Sequence, residues 1–191
     1  MIASIEEQSG LLVLTNILAT VWLGDWDRYE KIFEQMPSKM KGDFPFHAHY
    51  ERESVTLWHE NHFQIPGDYF ISPYYSSYTN KKDGGEEGKS NLLCLIAMYE
   101  KLGFYYPLER NLYPDHIGCL TTFLGSILKE KIVASKEKDE ELYDLLSNLE
   151  EEVVSKYINP LIKQMSQIRF DNIQHLFFEN FLQFSSDIIQ E

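Results

Sequence analysis

Apolar residues in this 191-residue chain recur at three- and four-residue intervals, and nowhere does a run of β-branched residues alternate with polar ones. The first pattern lays one stripe of a helix against a core, and the missing second pattern leaves no segment with the two-residue period of a half-buried strand. The spacing therefore predicts an all-α fold of about eight helices, as a single helical domain or as two tightly packed helical subdomains. The clearest stripe is Ile117, Leu120, Phe123, Leu124, Ile127 and Leu128, which predicts a helix to about Ile132.

Tyr113-Pro114-Asp115-His116 stands in front of that helix. Pro114 fixes its own φ and biases Tyr113 toward an extended conformation, so a preceding helix cannot run through. Asp115 reads as the N-cap of the new helix. His116 then falls at a helix N-terminus, where the dipole disfavours an imidazolium and a neutral ring beside an anionic Asp is expected. Proline and aspartate ahead of an amphipathic helix are also ordinary start chemistry, so these residues by themselves leave a purely structural role open.

Ser4-Ile5-Glu6-Glu7 reads as a capping box opening a helix to about Leu23, which Gly24 ends. Asp25 caps a second helix carrying Trp26, Tyr29, Ile32 and Phe33, closed by Pro37, and a polar loop follows. Residues 46–63 suggest a third helix with weak periodicity. His59-Glu60-Asn61-His62 lacks the four-residue histidine spacing of a zinc helix, and His47 and His49 are two apart, which points them to different sides and reads as surface. Residues 64–91 form the longest stretch without helical periodicity, punctuated by Pro66, Gly67, Pro73, Gly84, Gly85 and Gly88. The stretch carries Tyr69, Phe70, Tyr74, Tyr75 and Tyr78, rings that suit either a peptide-binding face or the end of a core. Gly84 to Ser90 departs from a phosphate loop, since Asp83 stands where the first Gly is needed and two glutamates would repel phosphate.

A helix is predicted over Leu92–Leu102, ended by Gly103. Another follows in which Leu142, Leu145, Leu146, Leu149, Val153 and Tyr157 face inward, and eight acids between Glu137 and Glu152 decorate its outer side. Asn159-Pro160 reads as a cap and restart, and Asp171 as the opening of a last helix.

The formal net charge of −13 argues against DNA or RNA, whose binding rests on phosphate neutralisation by Lys and Arg, and it favours a basic partner. Cys94 and Cys119 form no CxxC pair and read as buried, reduced thiols. The apolar stretch from Leu11 to Leu23 follows acids rather than bases and is short for a bilayer, so neither a secretory signal nor membrane insertion is expected, and the chain is placed in the cytoplasm. No set of histidines assembles a metal site, and no cofactor is implied.

The run LIAMYEKLGFYYPLERNLYPDHIGCLTTFL, Leu95 to Leu124, resembles the centre of the TorD/DmsD/NarJ family of redox-enzyme maturation chaperones, whose mark is a proline, aspartate and histidine opening a helix. Ser72-Pro73-Tyr74-Tyr75-Ser76-Ser77-Tyr78 is similar to a second family element upstream. The departures are Tyr113 in place of a Glu before the proline, no spacer between Pro114 and Asp115, Tyr74-Tyr75 where Trp-Gly is common, and Asn80 where an Asp is often found. The resemblance covers most of the chain and divides it into N-terminal helices (1–63), an aromatic and Gly-rich connection (64–91) and C-terminal helices (92–191). It implies a chaperone, not an enzyme, that binds the twin-arginine leader and apo form of a molybdopterin oxidoreductase, as a monomer or a domain-exchanged dimer. Tyr74, Tyr78, Tyr113, Pro114, Asp115 and His116 are the peptide-binding candidates. Two other readings stay open from the residues alone: an all-α scaffold for another partner helix, and a hydrolase using Asp115 and His116 for proton transfer, for which the chain offers no evident nucleophile.

Overall fold

The computed structural model describes residues 4–79, 86–105, 112–167 and 175–190, and over these residues it is all α, as the periodicity predicts. In chain order the helices are α1 (Ile5–Trp22), α2 (Trp26–Gln35), α3 (Ser38–Lys41), α4 (Arg52–His59), α5 (Ser76–Thr79), α6 (Glu86–Lys101), α7 (Ile117–Glu137), α8 (Glu140–Val153), α9 (Asn159–Gln167) and α10 (Leu176–Gln190). A 3-10 turn covers Pro45–His49, and wide π turns cover Glu60–Gln64 and Val154–Ile158. The chain divides into two compact units, Met1–Ala19 with Tyr74–Leu161, and Thr20–Pro73 with Ile162–Glu191.

In the first unit α7 supplies the core. Ile117, Leu120, Phe123, Ile127 and Leu128 are buried, each worth on the order of 1.5–3 kcal/mol relative to exposure. The helix runs past Ile132 to Glu137 and ends where Lys138 turns left-handed at φ 59°. At the start of α1 the Ser4 capping box forms as read: Ser4 N donates to the Glu7 carboxylate at 2.7 Å, and Glu7 N donates to Ser4 Oγ at 3.2 Å.

The inner face of α8 is rotated from the one expected. Tyr143, Leu146 and Val153 are buried, whereas Leu142 and Leu145 are 38% and 61% exposed. The reason is polar: α7 buries the Lys131 ammonium, which pairs with Glu150 and lies 4.9 Å from the centre of the Tyr143 ring, so α8 turns Tyr143 and Glu150 inward. The other seven acids between 137 and 152 face solvent. Nor does Asn159-Pro160 restart the chain. Asn159 is helical at φ −59°, ψ −48°, and α8 passes through the Val154–Ile158 turn into α9; the Asn159 amide reaches back to the Val154 carbonyl directly ahead of Pro160, which cannot donate.

Two further readings are corrected here. α6 begins at Glu86, ahead of the helix read from Leu92 and inside the stretch read as irregular. Cys94 is exposed on it, and only Cys119 is a buried thiol. The expected end of α6 holds: Gly103 takes φ +63°, a conformation glycine adopts without strain. Asn80, Gly84 and Gly85 in the connection, and Asp171, read as the opening of the last helix, lie outside the described residues.

The second unit is an aromatic core. Trp22, Trp26, Tyr29, Phe33, Phe46, Phe63, Phe177, Phe178 and Phe181 are buried and meet mostly edge to face, as between Trp22 and Phe181 at 5.0 Å and 67°. Gly24 ends α1 at φ +63°, where a side chain would be strained and its Cβ would approach the His59 ring to 3.0 Å. Asp25 caps α2 by accepting from Arg28 N at 3.3 Å. The helix expected over 46–63 is broken: Tyr50 and Glu51 are extended, and the Glu51 carboxylate caps α4 by accepting from Glu53 N and Ser54 N. His47 is not a surface residue; its ring stacks on Phe33 at 3.8 Å and its Nδ1 bonds the Tyr29 hydroxyl at 2.9 Å. His49 is exposed as expected. His59 is buried, with Nε2 3.2 Å from the Trp22 carbonyl oxygen and Nδ1 3.2 Å from Gln64 Nε2.

Candidate functional site

The junction ahead of α7 and the segment ahead of α5 meet in the first unit. Pro114 and Asp115 occupy the centre of a tight turn closed by His116 N donating to the Tyr113 carbonyl at 3.1 Å, which suits the fixed φ of proline. Asp115 is not the cap of α7. His116 is: its backbone is extended at φ −66°, ψ 134°, and its Nδ1 accepts from Gly118 N at 2.9 Å. Accepting at Nδ1 requires that atom to be unprotonated, so the neutral ring expected at this helix start is the tautomer that carries its proton on Nε2.

Freed from capping, Asp115 holds the other segment. Its Oδ2 accepts from Ser76 N at 2.8 Å and its backbone carbonyl accepts from Tyr75 N at 3.1 Å, while Tyr74 and His116 pair as an isolated antiparallel bridge. Asp115 is only 4% exposed, and its buried carboxylate meets the need of a buried polar group for a partner through this bond to a backbone amide. Tyr99 of α6 closes the junction from beneath, donating its hydroxyl to the Pro114 carbonyl at 2.8 Å. Tyr157, displayed by the Val154–Ile158 turn, donates to the Asn91 carbonyl at 3.1 Å and packs edge to face on Tyr75 at 5.2 Å.

What the junction presents outward is aromatic. Tyr113 is 68% exposed and meets Tyr74 edge to face at 6.0 Å; Tyr74 in turn meets the His116 ring at 5.1 Å. Burial pushes the Tyr74 phenol above its ordinary value, and the Asp115 charge adds to it, so Tyr74 stays a neutral donor with a negative charge behind it. Tyr78 lies farther along α5, half-buried, with its phenol pushed up to about 12 by burial.

Of the six candidates, Tyr74, Tyr113, Pro114, Asp115 and His116 are thus brought into one place, with Pro114, Asp115 and His116 buried beneath the two rings. Tyr69 and Phe70, read in the same aromatic cluster, fall in the other unit. The supporting hydroxyls of Tyr99 and Tyr157 went unnoticed in the sequence, although a buried tyrosine usually finds a partner for its hydroxyl. The carboxylate and the imidazole are each engaged on a backbone amide. Among the described residues, no group of His, Cys, Asp and Glu is arranged to hold a metal ion, and no helix is long and apolar enough to cross a membrane.

An all-α chain with this junction belongs to a family of redox-enzyme maturation chaperones. The family is that described as the nitrate reductase delta subunit, whose model matches residues 49–163 and so takes in both the junction and the segment it holds. No curated protein and no solved structure matches the chain.

Proposed function

We propose that this chain is a cytoplasmic chaperone that binds the twin-arginine leader and apo form of a molybdopterin-dependent oxidoreductase, retaining the client until its cofactor is in place. The observation that carries this reading is the junction itself: the exposed Tyr113 ring meets the half-buried Tyr74 ring edge to face, and the segment that carries Tyr74 is fixed on the buried Asp115 by backbone bonds from Ser76 and Tyr75. A twin-arginine leader offers guanidinium planes next to an apolar stretch. Guanidinium groups stack on tyrosine faces, and the Asp115 charge behind Tyr74 strengthens that attraction. Tyr78 extends the apolar surface. Pro114, Asp115 and His116 shape the platform, and Asp115 supplies its charge. With its net charge of −13 the chain also favours a basic ligand over an acidic one.

Isothermal titration of the full chain with twin-arginine leader peptides, and with the same peptides carrying Lys-Lys, tests this. A lysine keeps the charge but loses the stacking plane, so binding to the Lys-Lys peptides is expected to be about tenfold weaker. If no leader binds, or if the Lys-Lys forms bind equally well, the proposal fails. Light scattering during the same titration distinguishes a monomer from a domain-exchanged dimer.

A further inference from the structure

The rotation of α8 leaves a second apolar flank outside the core. Leu142, Leu145 and Leu149 lie three and four residues apart and so share one side of the helix; Leu145 is 61% exposed, Leu142 38%, and Leu149 half-buried. Glu141 and Glu152 are in register with Leu145 along the same side, and both are exposed. α8 contains no basic residue, and Lys156 beyond its end lies 3.9 Å from the Glu152 carboxylate. Exposed single leucines are common on protein surfaces. Here, however, they are stacked along one helix side and edged by carboxylates.

We infer that this flank of α8 is a docking surface for a cationic amphipathic helix of a protein partner, its apolar stripe on Leu142 and Leu145 and its Lys or Arg residues on Glu141 and Glu152. Charge complementarity selects that occupant. A second copy of this chain, an anionic membrane surface and a nucleic acid would each bring negative charge against the acidic rim, whereas a helix of alternating apolar and basic rows satisfies both components at once. The junction contacts described above for Tyr74, Asp115 and His116 are made with other residues, so the inference stands whether or not the junction binds a leader.

The test uses the full chain and three fluorescent 14-residue peptides: a Leu/Lys peptide with its leucines on one helical stripe, a scrambled peptide of the same composition without the stripe, and a striped Leu/Glu peptide. At near-physiological salt the striped Leu/Lys peptide is expected to bind at least about tenfold tighter than either other peptide, a preference that Leu142→Ser/Leu145→Ser removes and Glu141→Gln/Glu152→Gln makes less salt-dependent. Because these side chains are exposed, both double variants are expected to melt at the wild-type temperature, and Tyr113→Ala to bind the striped peptide unchanged. Equal binding of striped and scrambled Leu/Lys peptides would reduce the surface to bulk charge and overturn the inference, as would wild-type affinity in the leucine variant. A concentration-dependent dimer abolished by Leu142→Ser/Leu145→Ser would also overturn it, by assigning the flank to a second copy.

Discussion

The Asp115 carboxylate accepts the backbone amide of Ser76 at 2.8 Å, across 39 positions of sequence. A helix cap would tolerate Asn almost without cost, but a buried carboxylate on a backbone amide gives a bond about twice as strong as its neutral counterpart. Asp115→Asn is therefore expected to lower stability by about 1 kcal/mol, and Asp115→Ala, which leaves the Ser76 amide unpaired, by about 1–3 kcal/mol. A chain of this length should then melt roughly 2–4 °C lower for each kcal/mol lost. An Asp115→Ala protein that melts like wild type would show that the bond does not hold the segment.

His116 takes over the capping of α7. Losing an N-cap costs about 0.5–2 kcal/mol, and asparagine is among the best residues at that position. Chemical denaturation of His116→Ala and His116→Asn should show the alanine variant clearly less stable, with asparagine recovering part of the difference. Equal loss in both would mean the ring matters for its packing against Tyr74 and not for its Nδ1.

The pairing of Lys131 with Glu150, closed over by Tyr143, makes a sharper contrast. Removing one partner leaves the other charge buried and alone, so Glu150→Ala is expected to cost about 3–5 kcal/mol, discounted toward the lower figure because the Glu150 side chain is 20% exposed. Replacing both with methionine should be close to neutral. Urea melts of the two variants that gave the same loss would contradict the pairing.

In the second unit, burial holds the His47 imidazole below its ordinary value, and the nearby Lys41 charge adds to the effect. Below pH of about 6.5 the unfolded chain therefore binds a proton that the folded ring refuses, so stability is complete above that pH and declines as pH falls toward the lowered folded value. His175 is shifted in the same direction, chiefly by burial. Melting temperatures measured from pH 7.5 to 5 should fall, and fall less steeply in His47→Gln. An identical slope in the variant would remove His47 as a contributor.

Helix ends set by local chemistry were legible in the chain: the Ser4–Glu7 box, Asp25, and the glycines at 24 and 103 all act where they were placed, because each works within one turn of its own position. What depended on distant partners was not. The inward turn of α8 follows a lysine on α7, which a stripe of leucines conceals. The start of α6 at Glu86 was hidden by neighbouring glycines that usually mark a loop. At the junction, Pro-Asp-His was visible as a unit, but the cap was assigned to Asp115, because nothing local shows that the distant Ser76 amide claims that carboxylate and leaves the cap to His116.

The most direct test of the junction as the leader-binding surface is a calorimetric titration of wild type and Tyr113→Ala with one twin-arginine leader peptide that wild type binds. Tyr113 is 68% exposed and caps no helix, so the variant should melt with wild type. Losing the outward ring is expected to weaken binding by roughly tenfold or more, the scale of about 1.4 kcal/mol or above for an aromatic contact residue. The same dissociation constant in both proteins, with the same melting temperature, would contradict the assignment of this surface to the leader.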